Sequence, residues 1–134
     1  MPIAACRCGA LSAHCSGTPI RVSVCHCSAC QRRTGSAFSA QARFPAEAVR
    51  IDGDFRTFER TADSGRRVSY RFCPTCGTNV AYAIDAWPGV LAIPLGLLAE
   101  MALPAPSYSI YEHGMHSWVA ITSPGTEHHP TSGL

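Results

Sequence analysis

Cys25-His26-Cys27-Ser28-Ala29-Cys30 carries three thiols in one short stretch of a 134-residue chain, and a cysteine pair lies on either side of it. The earlier pair is Cys6-Arg7-Cys8 and the later one is Cys73-Pro74-Thr75-Cys76. Cysteines one or two residues apart can turn their sulfur atoms toward one point, and zinc takes four ligands in a tetrahedron, with Zn–S distances of about 2.3 Å. The grouping therefore predicts zinc, and it decides the fold because distant segments must meet at the metal.

The two pairs together supply a complete set of four thiolates. Each pair has a glycine directly after its second cysteine, Gly9 and Gly77. Glycine adopts the left-handed backbone that a tight turn around a metal needs. A closed tetrahedron leaves no room for substrate, so this set is predicted to hold a structural zinc ion. Its ligands are Cys6, Cys8, Cys73 and Cys76.

The trio of Cys25, Cys27 and Cys30 cannot complete a tetrahedron by itself, which is typical of a catalytic zinc site. Water or substrate can fill the fourth position. The side chains that remain as alternative ligands are His26, His113, His116 and Cys15. Three thiolates give the zinc complex a net charge of −1, which weakens its Lewis acidity. Such a site favours thiol chemistry over the activation of water.

A disulfide framework is the main alternative for eight cysteines in a short chain. The N-terminal sequence has no apolar signal-peptide region, so we expect a cytoplasmic protein whose thiols stay reduced. No apolar run is long enough to cross a membrane. A thioredoxin-like role for Cys27-Ser28-Ala29-Cys30 would need a βαβ context, which the flanking sequence does not provide.

Charge is distributed unevenly along the chain. All eleven basic residues are arginines and none follows Arg71, whereas four acidic residues do. Arginines spread over many strands, with a net charge of +2, are a weak signature of nucleic-acid binding. Arg32 and Arg33 directly follow the trio and are the candidates for binding a substrate anion, because a guanidinium grips a carboxylate through two parallel hydrogen bonds.

Most segments outside the cysteine motifs resemble short strands between turns, so the predicted class is mainly β, with antiparallel sheets pinned by zinc and few short helices. Ser16-Gly17-Thr18-Pro19 predicts a hairpin between the strands on either side. Helical turns are predicted over residues 28–33 and 97–101. We expect one zinc-binding domain over residues 1–122 and a flexible C-terminal tail over 123–134.

The order of the three cysteine motifs resembles the glutathione-dependent formaldehyde-activating enzyme family, which includes centromere protein V. The likeness continues through Arg32-Arg33-Thr34-Gly35-Ser36-Ala37-Phe38, and then through Ser109-Ile110-Tyr111 and Trp118. It covers roughly residues 5 to 121, nearly the whole chain. The resemblance implies a β-tent fold with two zinc ions per chain. It also implies that the four paired cysteines hold structural zinc and that the trio holds catalytic zinc.

The activity that the resemblance implies is that of a carbon–sulfur lyase, which joins formaldehyde and glutathione to S-hydroxymethylglutathione. The leading hypothesis is thus a zinc-dependent lyase acting on the adduct of a small-molecule thiol, such as glutathione, and an aldehyde. Two other functions remain open. One is a non-catalytic zinc-binding module that recruits another macromolecule, and the other is a thiol redox or metal sensor that uses the trio.

Overall fold

The computed structural model describes residues 2–62, 64–98 and 102–133. Its strands are β1 (Ile3–Ala5), β2 (Ser12–Cys15), β3 (Arg21–Cys25), β4 (Ser39–Pro45), β5 (Val49–Asp52), β6 (Arg56–Thr61), β7 (Arg67–Phe72), β8 (Asn79–Ile84), β9 (Val90–Pro94), β10 (Tyr108–Ile110) and β11 (Glu127–His128). One α-helix, α1, spans Ser28–Thr34, and 3-10 turns span Ala46–Ala48, Leu95–Leu98 and Glu112–Gly114. The prediction of a mainly β protein with few short helices is confirmed.

The chain divides into two compact units, the first of which comprises Met1–Ile20 and Ala42–Leu103. It contains the antiparallel sheet β1-β2-β5 and the antiparallel run β6-β7-β8-β9. Alternation in β2 buries Ala13 and Cys15 and leaves Ser12 and His14 partly exposed. Leu11, Val80 and Ile93 are fully buried in this unit.

The second unit comprises Arg21–Gln41 and Pro104–Leu134. Here β10 lies between β3 and β11 and is parallel to both. Two parallel strands need a long connection between them. The pairing of β3 with β10 brings Ile110 opposite Cys25. The end of β10 is therefore fixed beside the first cysteine of the trio. The sequence predicts antiparallel sheets, and the structure adds these two parallel pairs.

The helix α1 follows β3 directly and is short because both of its ends are specified by the sequence. Cys27 caps its N-terminus, where the sulfur atom accepts a hydrogen bond from the Cys30 amide. Gly35 ends it in the left-handed conformation, and the Gly35 amide donates to the Gln31 carbonyl oxygen. The helical turn predicted over residues 28–33 is confirmed.

The hairpin predicted at Ser16-Gly17-Thr18-Pro19 was wrong. β2 pairs with β1 and β5, whereas β3 pairs with β10 in the other unit. Turn residues between two alternating segments show that the chain bends, but they do not identify the partner of each strand. The turn predicted over 97–101 lies partly outside the described residues, and the structure has a 3-10 turn at Leu95–Leu98.

The C-terminal residues contribute β11, and the Tyr111 amide donates to the Thr131 carbonyl oxygen at 2.9 Å. The domain boundary at residue 122 and the flexibility of residues 123–134 stay predictions. No helix in the described ranges is both long enough and apolar enough to span a membrane.

Candidate metal centres

The cysteine quartet, Cys6, Cys8, Cys73 and Cys76, comes together within the first unit, and its four sulfur atoms all lie within 4.8 Å of one another. The Sγ atoms of Cys6 and Cys8 are 3.6 Å apart, and those of Cys8 and Cys73 are 3.7 Å apart. All eight cysteines of the chain are free. Both pairs thus meet at one point, as their spacing predicted.

Tight turns bring the quartet together, and their glycines have the expected backbone. The Gly9 amide donates to the Cys6 carbonyl oxygen at 3.1 Å, and the Gly77 amide donates to the Cys73 carbonyl oxygen at 2.8 Å. Their φ angles are +84° and +79°, in the left-handed region. The Leu11 amide donates to Cys6 Sγ at 3.3 Å, which stabilises negative charge on that sulfur atom.

The donor set fits zinc. Sulfur atoms at about 2.3 Å from a common tetrahedral centre lie about 3.8 Å from each other. The distances of 3.6 and 3.7 Å within the quartet are close to that edge length, and both exceed a covalent S–S bond of about 2.05 Å. Thiolates are also the softest ligands that a protein offers and select zinc over hard cations. The quartet could therefore hold a metal ion.

Negative charge is shared unequally within the quartet. Hydrogen bonds from the side chain and backbone of Thr78, and from the backbone of Cys8, lower the pKa of Cys76 to about 5. The pKa of Cys8 is raised to about 11: a hydrogen bond from the Ala10 backbone lowers it, but hydrogen bonding to Cys6 and the other thiols outweighs this. Negative charge within the quartet is therefore favoured at Cys76 over Cys8.

The trio of Cys25, Cys27 and Cys30 is assembled entirely within the second unit, and its sulfur atoms also lie within 4.8 Å of one another. Cys25 ends β3, Cys27 is the N-cap of α1, and Cys30 lies in the first turn of that helix. The Sγ atoms of Cys25 and Cys27 are 3.4 Å apart. A strand end followed at once by a helix start therefore accounts for the trio.

Ionisation within the trio is centred on Cys30. Hydrogen bonds from the Cys25 and Cys27 thiols lower the pKa of Cys30 to about 2, and the Ser39 hydroxyl and the charge of Arg33 contribute in the same direction. The same hydrogen bonds and burial raise the pKa of Cys25 far above its usual range. A cluster of thiols that carries negative charge is a donor set for a soft cation.

His26 is fully buried between two cysteines of the trio and lies outside the cluster of sulfur atoms. Its Nε2 is 2.9 Å from the Ser109 hydroxyl, and its ring centroid is 5.8 Å from that of Phe38. Burial lowers the pKa of His26, which favours the neutral ring. The His26 side chain thus connects the cysteine loop to Ser109 on β10.

The other alternative ligands are also engaged elsewhere. His113 Nδ1 lies 2.6 Å from the Pro130 carbonyl oxygen, and His116 Nε2 lies 2.7 Å from Gln31 Oε1. Cys15 is buried in β2, in the other unit. Among the residues that the structure describes, the candidate metal-binding groups consist of the seven other cysteines alone.

The two arginines after the trio differ in their surroundings. Arg33 is half-buried and lies close enough to Cys30 for its charge to lower the pKa of that thiol. Arg32 is exposed. The charge of Arg33 therefore acts on the trio, and substrate binding by either residue stays a prediction.

Sequence reasoning missed the contacts that join the C-terminal segment to the trio. Gln31 Nε2 donates to the His26 carbonyl oxygen at 2.8 Å and is 3.4 Å from the Gly114 carbonyl oxygen. A Cβ placed on Gly114 would lie 2.7 Å from the His26 carbonyl oxygen, so the two backbones are in close contact. Trp118 stacks on His116 and is 75% exposed. These contacts depend on the pairing of β3 with β10, for which the sequence carries no local signal.

Comparison with known proteins agrees with the cysteine pattern. The family model described as glutathione-dependent formaldehyde-activating enzyme matches residues 1–114. A crystal structure of a Rhodobacter sphaeroides protein, determined by structural genomics, superposes with a TM-score of 0.59 at 19% identity, covering 75% of this chain and 90% of that one. At that identity the likeness concerns the fold alone. No curated protein matches the chain.

Proposed function

Since the chain belongs to the glutathione-dependent formaldehyde-activating enzyme family, we propose that it is a zinc-dependent carbon–sulfur lyase that forms or cleaves the adduct of a small-molecule thiol and an aldehyde. In the forming direction, the thiol gives up its proton and its sulfur bonds to the carbonyl carbon. The carbonyl π electrons move to oxygen, which takes up a proton. Cleavage is the reverse, and neither direction needs an oxidant or a reductant.

The observation that carries the proposal is the trio of sulfur atoms, which lie within 4.8 Å of one another with no fourth ligand among the described residues. Cys25, Cys27 and Cys30 would hold the catalytic zinc ion, and the quartet would hold a structural one. When bound at the trio, zinc would stabilise a substrate sulfur as its thiolate at neutral pH. Two zinc ions per chain follow from this assignment.

The position of Arg33 supports the proposal that the substrate carries a negative charge. Its guanidinium acts on Cys30, so a carboxylate held there would bring an attached thiol close to the sulfur cluster. Glutathione has two carboxylates and formaldehyde is the smallest aldehyde, and we propose this pair as the first to test. The proposal includes a cytoplasmic location, because thiols stay reduced and available to metal there.

Exchange spectroscopy with ¹³C-formaldehyde and glutathione tests the function, because the adduct also forms without a catalyst and the enzyme must raise the exchange rate above that background. Cysteine and coenzyme A as alternative thiols would identify the substrate class. Cys27→Ala should lose the activity, and Cys15→Ala is the matched control outside both clusters. A zinc-loaded protein that accelerates none of these exchanges contradicts the lyase and leaves the binding module and the thiol sensor, whereas exchange that persists in Cys27→Ala rules out the trio as the site.

A further inference from the structure

Tyr111 has an unusual backbone conformation for an aromatic residue. Its φ is 55° and its ψ is 41°, in the left-handed region. Among the residues that the structure describes, it is the only one other than glycine with a positive φ. Bulky side chains seldom adopt this conformation, because Cβ crowds the backbone. Residues held in this way are frequent at functional sites, where the surrounding structure imposes the strain.

The backbone contacts on both sides of Tyr111 connect it to the loop that carries the trio. The residue before it, Ile110, lies opposite Cys25, and the Ile110 carbonyl oxygen accepts from the His26 amide at 3.1 Å. The last residue of the turn, Gly114, donates its amide to the Tyr111 carbonyl oxygen at 3.0 Å and touches the His26 backbone. Both sides of the Tyr111 turn are therefore fixed to the loop that carries the cysteines.

The side chain of Tyr111 is half-buried, and its ring meets the His113 ring edge-on at 5.9 Å. Burial, followed by the charges of Cys25, Cys27 and Cys30, raises the pKa of Tyr111. The register of Ile110 opposite Cys25 and the contact of Gly114 with the His26 backbone place Tyr111 next to the trio. A protonated phenol in this place is a hydrogen-bond donor beside the sulfur cluster.

We propose that the Tyr111 hydroxyl donates a hydrogen bond to the oxygen of the aldehyde, and to the hydroxyl oxygen of the adduct, while the substrate sulfur lies at the trio. This inference rests on the proposed lyase function. As the S–C bond forms, the carbonyl π electrons move to oxygen, and the oxygen then takes a proton from water. The phenol keeps its own proton and stabilises the developing negative charge on that oxygen. In the cleavage direction, the phenol stabilises the negative charge on the adduct oxygen before the S–C bond breaks.

The first test is Tyr111→Phe, with Tyr108→Phe as the matched control. Tyr108 begins β10, the strand that ends just before Tyr111, but it stacks on His129 and lies under the Arg21 guanidinium. Loss of one donor to an oxyanion lowers kcat by roughly a hundredfold or more. We expect this loss in Tyr111→Phe, with zinc content and melting temperature near the wild-type values, and unchanged kinetics in Tyr108→Phe. Wild-type kinetics in Tyr111→Phe would overturn the inference.

The second test does not depend on turnover. Cobalt-substituted protein is titrated with 2-mercaptoethanol and with ethanethiol, and the thiolate-to-cobalt absorption band gives the two dissociation constants. 2-Mercaptoethanol carries a hydroxyl group, one carbon farther from sulfur than the hydroxyl of the adduct. Ethanethiol carries no hydroxyl group. Wild-type protein should prefer 2-mercaptoethanol by roughly three- to tenfold, the value of one hydrogen bond. Tyr111→Phe should lose this preference and bind ethanethiol as the wild type does.

The two tests separate the inference from the function on which it rests. An active wild type with an equally active Tyr111→Phe variant removes the inference and leaves the lyase in place. A wild type inactive with every aldehyde and thiol removes the lyase, and the inference as a statement about catalysis falls with it. If the preference for 2-mercaptoethanol is the same in wild type and variant, Tyr111 does not face the ligand oxygen, and the inference is wrong.

Discussion

Gly114→Ala should displace the turn that closes against the trio. A Cβ at this position would lie 2.7 Å from the His26 carbonyl oxygen and 3.9 Å from Cys27 Cα. The obstacle at 2.7 Å is backbone, so no side-chain rotation can relieve it. A contact of 3.4 Å, the start of the ordinary range, requires the two segments to separate by roughly 0.7 Å. The variant therefore tests whether close backbone contact positions Tyr111 and the cysteine loop.

The size of the effect follows from two opposing terms. Forcing extra volume into a close-packed contact costs about 1–3 kcal/mol. Replacing glycine by alanine also restricts the unfolded chain, which stabilises the fold by about 0.4–1 kcal/mol. The two ranges leave a net loss of about 0–2.6 kcal/mol with a midpoint of about 1.3 kcal/mol, which for a chain of this size lowers the melting temperature by roughly 4–8 °C. A displacement of half an ångström or more at a reaction site also lowers the rate, by up to about a hundredfold.

Gly96→Ala is the matched control, because Gly96 has no atom within 4 Å of an added Cβ. Both variants and the wild type are loaded with zinc, melted under the same conditions, and assayed by the exchange method. Gly96→Ala should melt within a degree or two of the wild type and keep its rate. Equal melting temperatures and equal rates for Gly114→Ala and Gly96→Ala would refute the argument that this contact positions the turn.

Further predictions concern the metal sites, the arginines and pH. Cys73→Ser should abolish cooperative folding, since a structural zinc site contributes about 10 kcal/mol or more to stability, whereas Cys27→Ala should stay folded with one zinc ion fewer; metal analysis and thermal melts distinguish them. If Cys27→Ala unfolds as readily as Cys73→Ser, the two sites are assigned the wrong way round. Arg33→Lys should raise KM by roughly tenfold or more for a carboxylate-bearing thiol while Arg32→Lys does not, and equal kinetics would leave both as surface charge. Hydrogen bonds from Ser109 and His128 outweigh the effect of burial and hold the pKa of Glu112 below its usual 4.5. The stabilisation by Glu112 is therefore present above pH 4.5 and lost as the pH falls through the lower folded value, so Glu112→Gln should flatten the acid limb of wild-type stability, which urea melts across that range would show.

The cysteine clusters could be predicted from the sequence because metal ligation restricts the spacing of its ligands. Cys6 and Cys8 have to meet a second pair, and Cys73 and Cys76 are the one pair left once the trio is set aside. The structure brings all four sulfur atoms within 4.8 Å of one another. Local spacing was sufficient because each pair lies within a single turn.

The surroundings of the trio could not be predicted in the same way. Tyr111 reaches the cysteines only because β10 runs parallel to β3, from which it is distant in sequence. Parallel pairing leaves no turn signal between its strands, and the three residues of β10 are too few to show alternation. The hairpin predicted after Cys15 failed for a related reason, since β2 pairs with β1 and β5, and no local signal in the sequence identifies either strand as its partner.

The positions of the metal ligands and of the Tyr111 turn along the chain have a consequence for truncated forms of this protein. The Tyr111 amide bonds to the Thr131 carbonyl oxygen and the Glu112 amide to that of His129, so the last few residues hold the turn that carries Tyr111. All seven clustered cysteines, in contrast, precede residue 77. A protease that cuts after residue 122 would leave every metal ligand in place and release that turn. Such a fragment would have the metal content of the full chain, so metal analysis alone would not reveal that it had been cut.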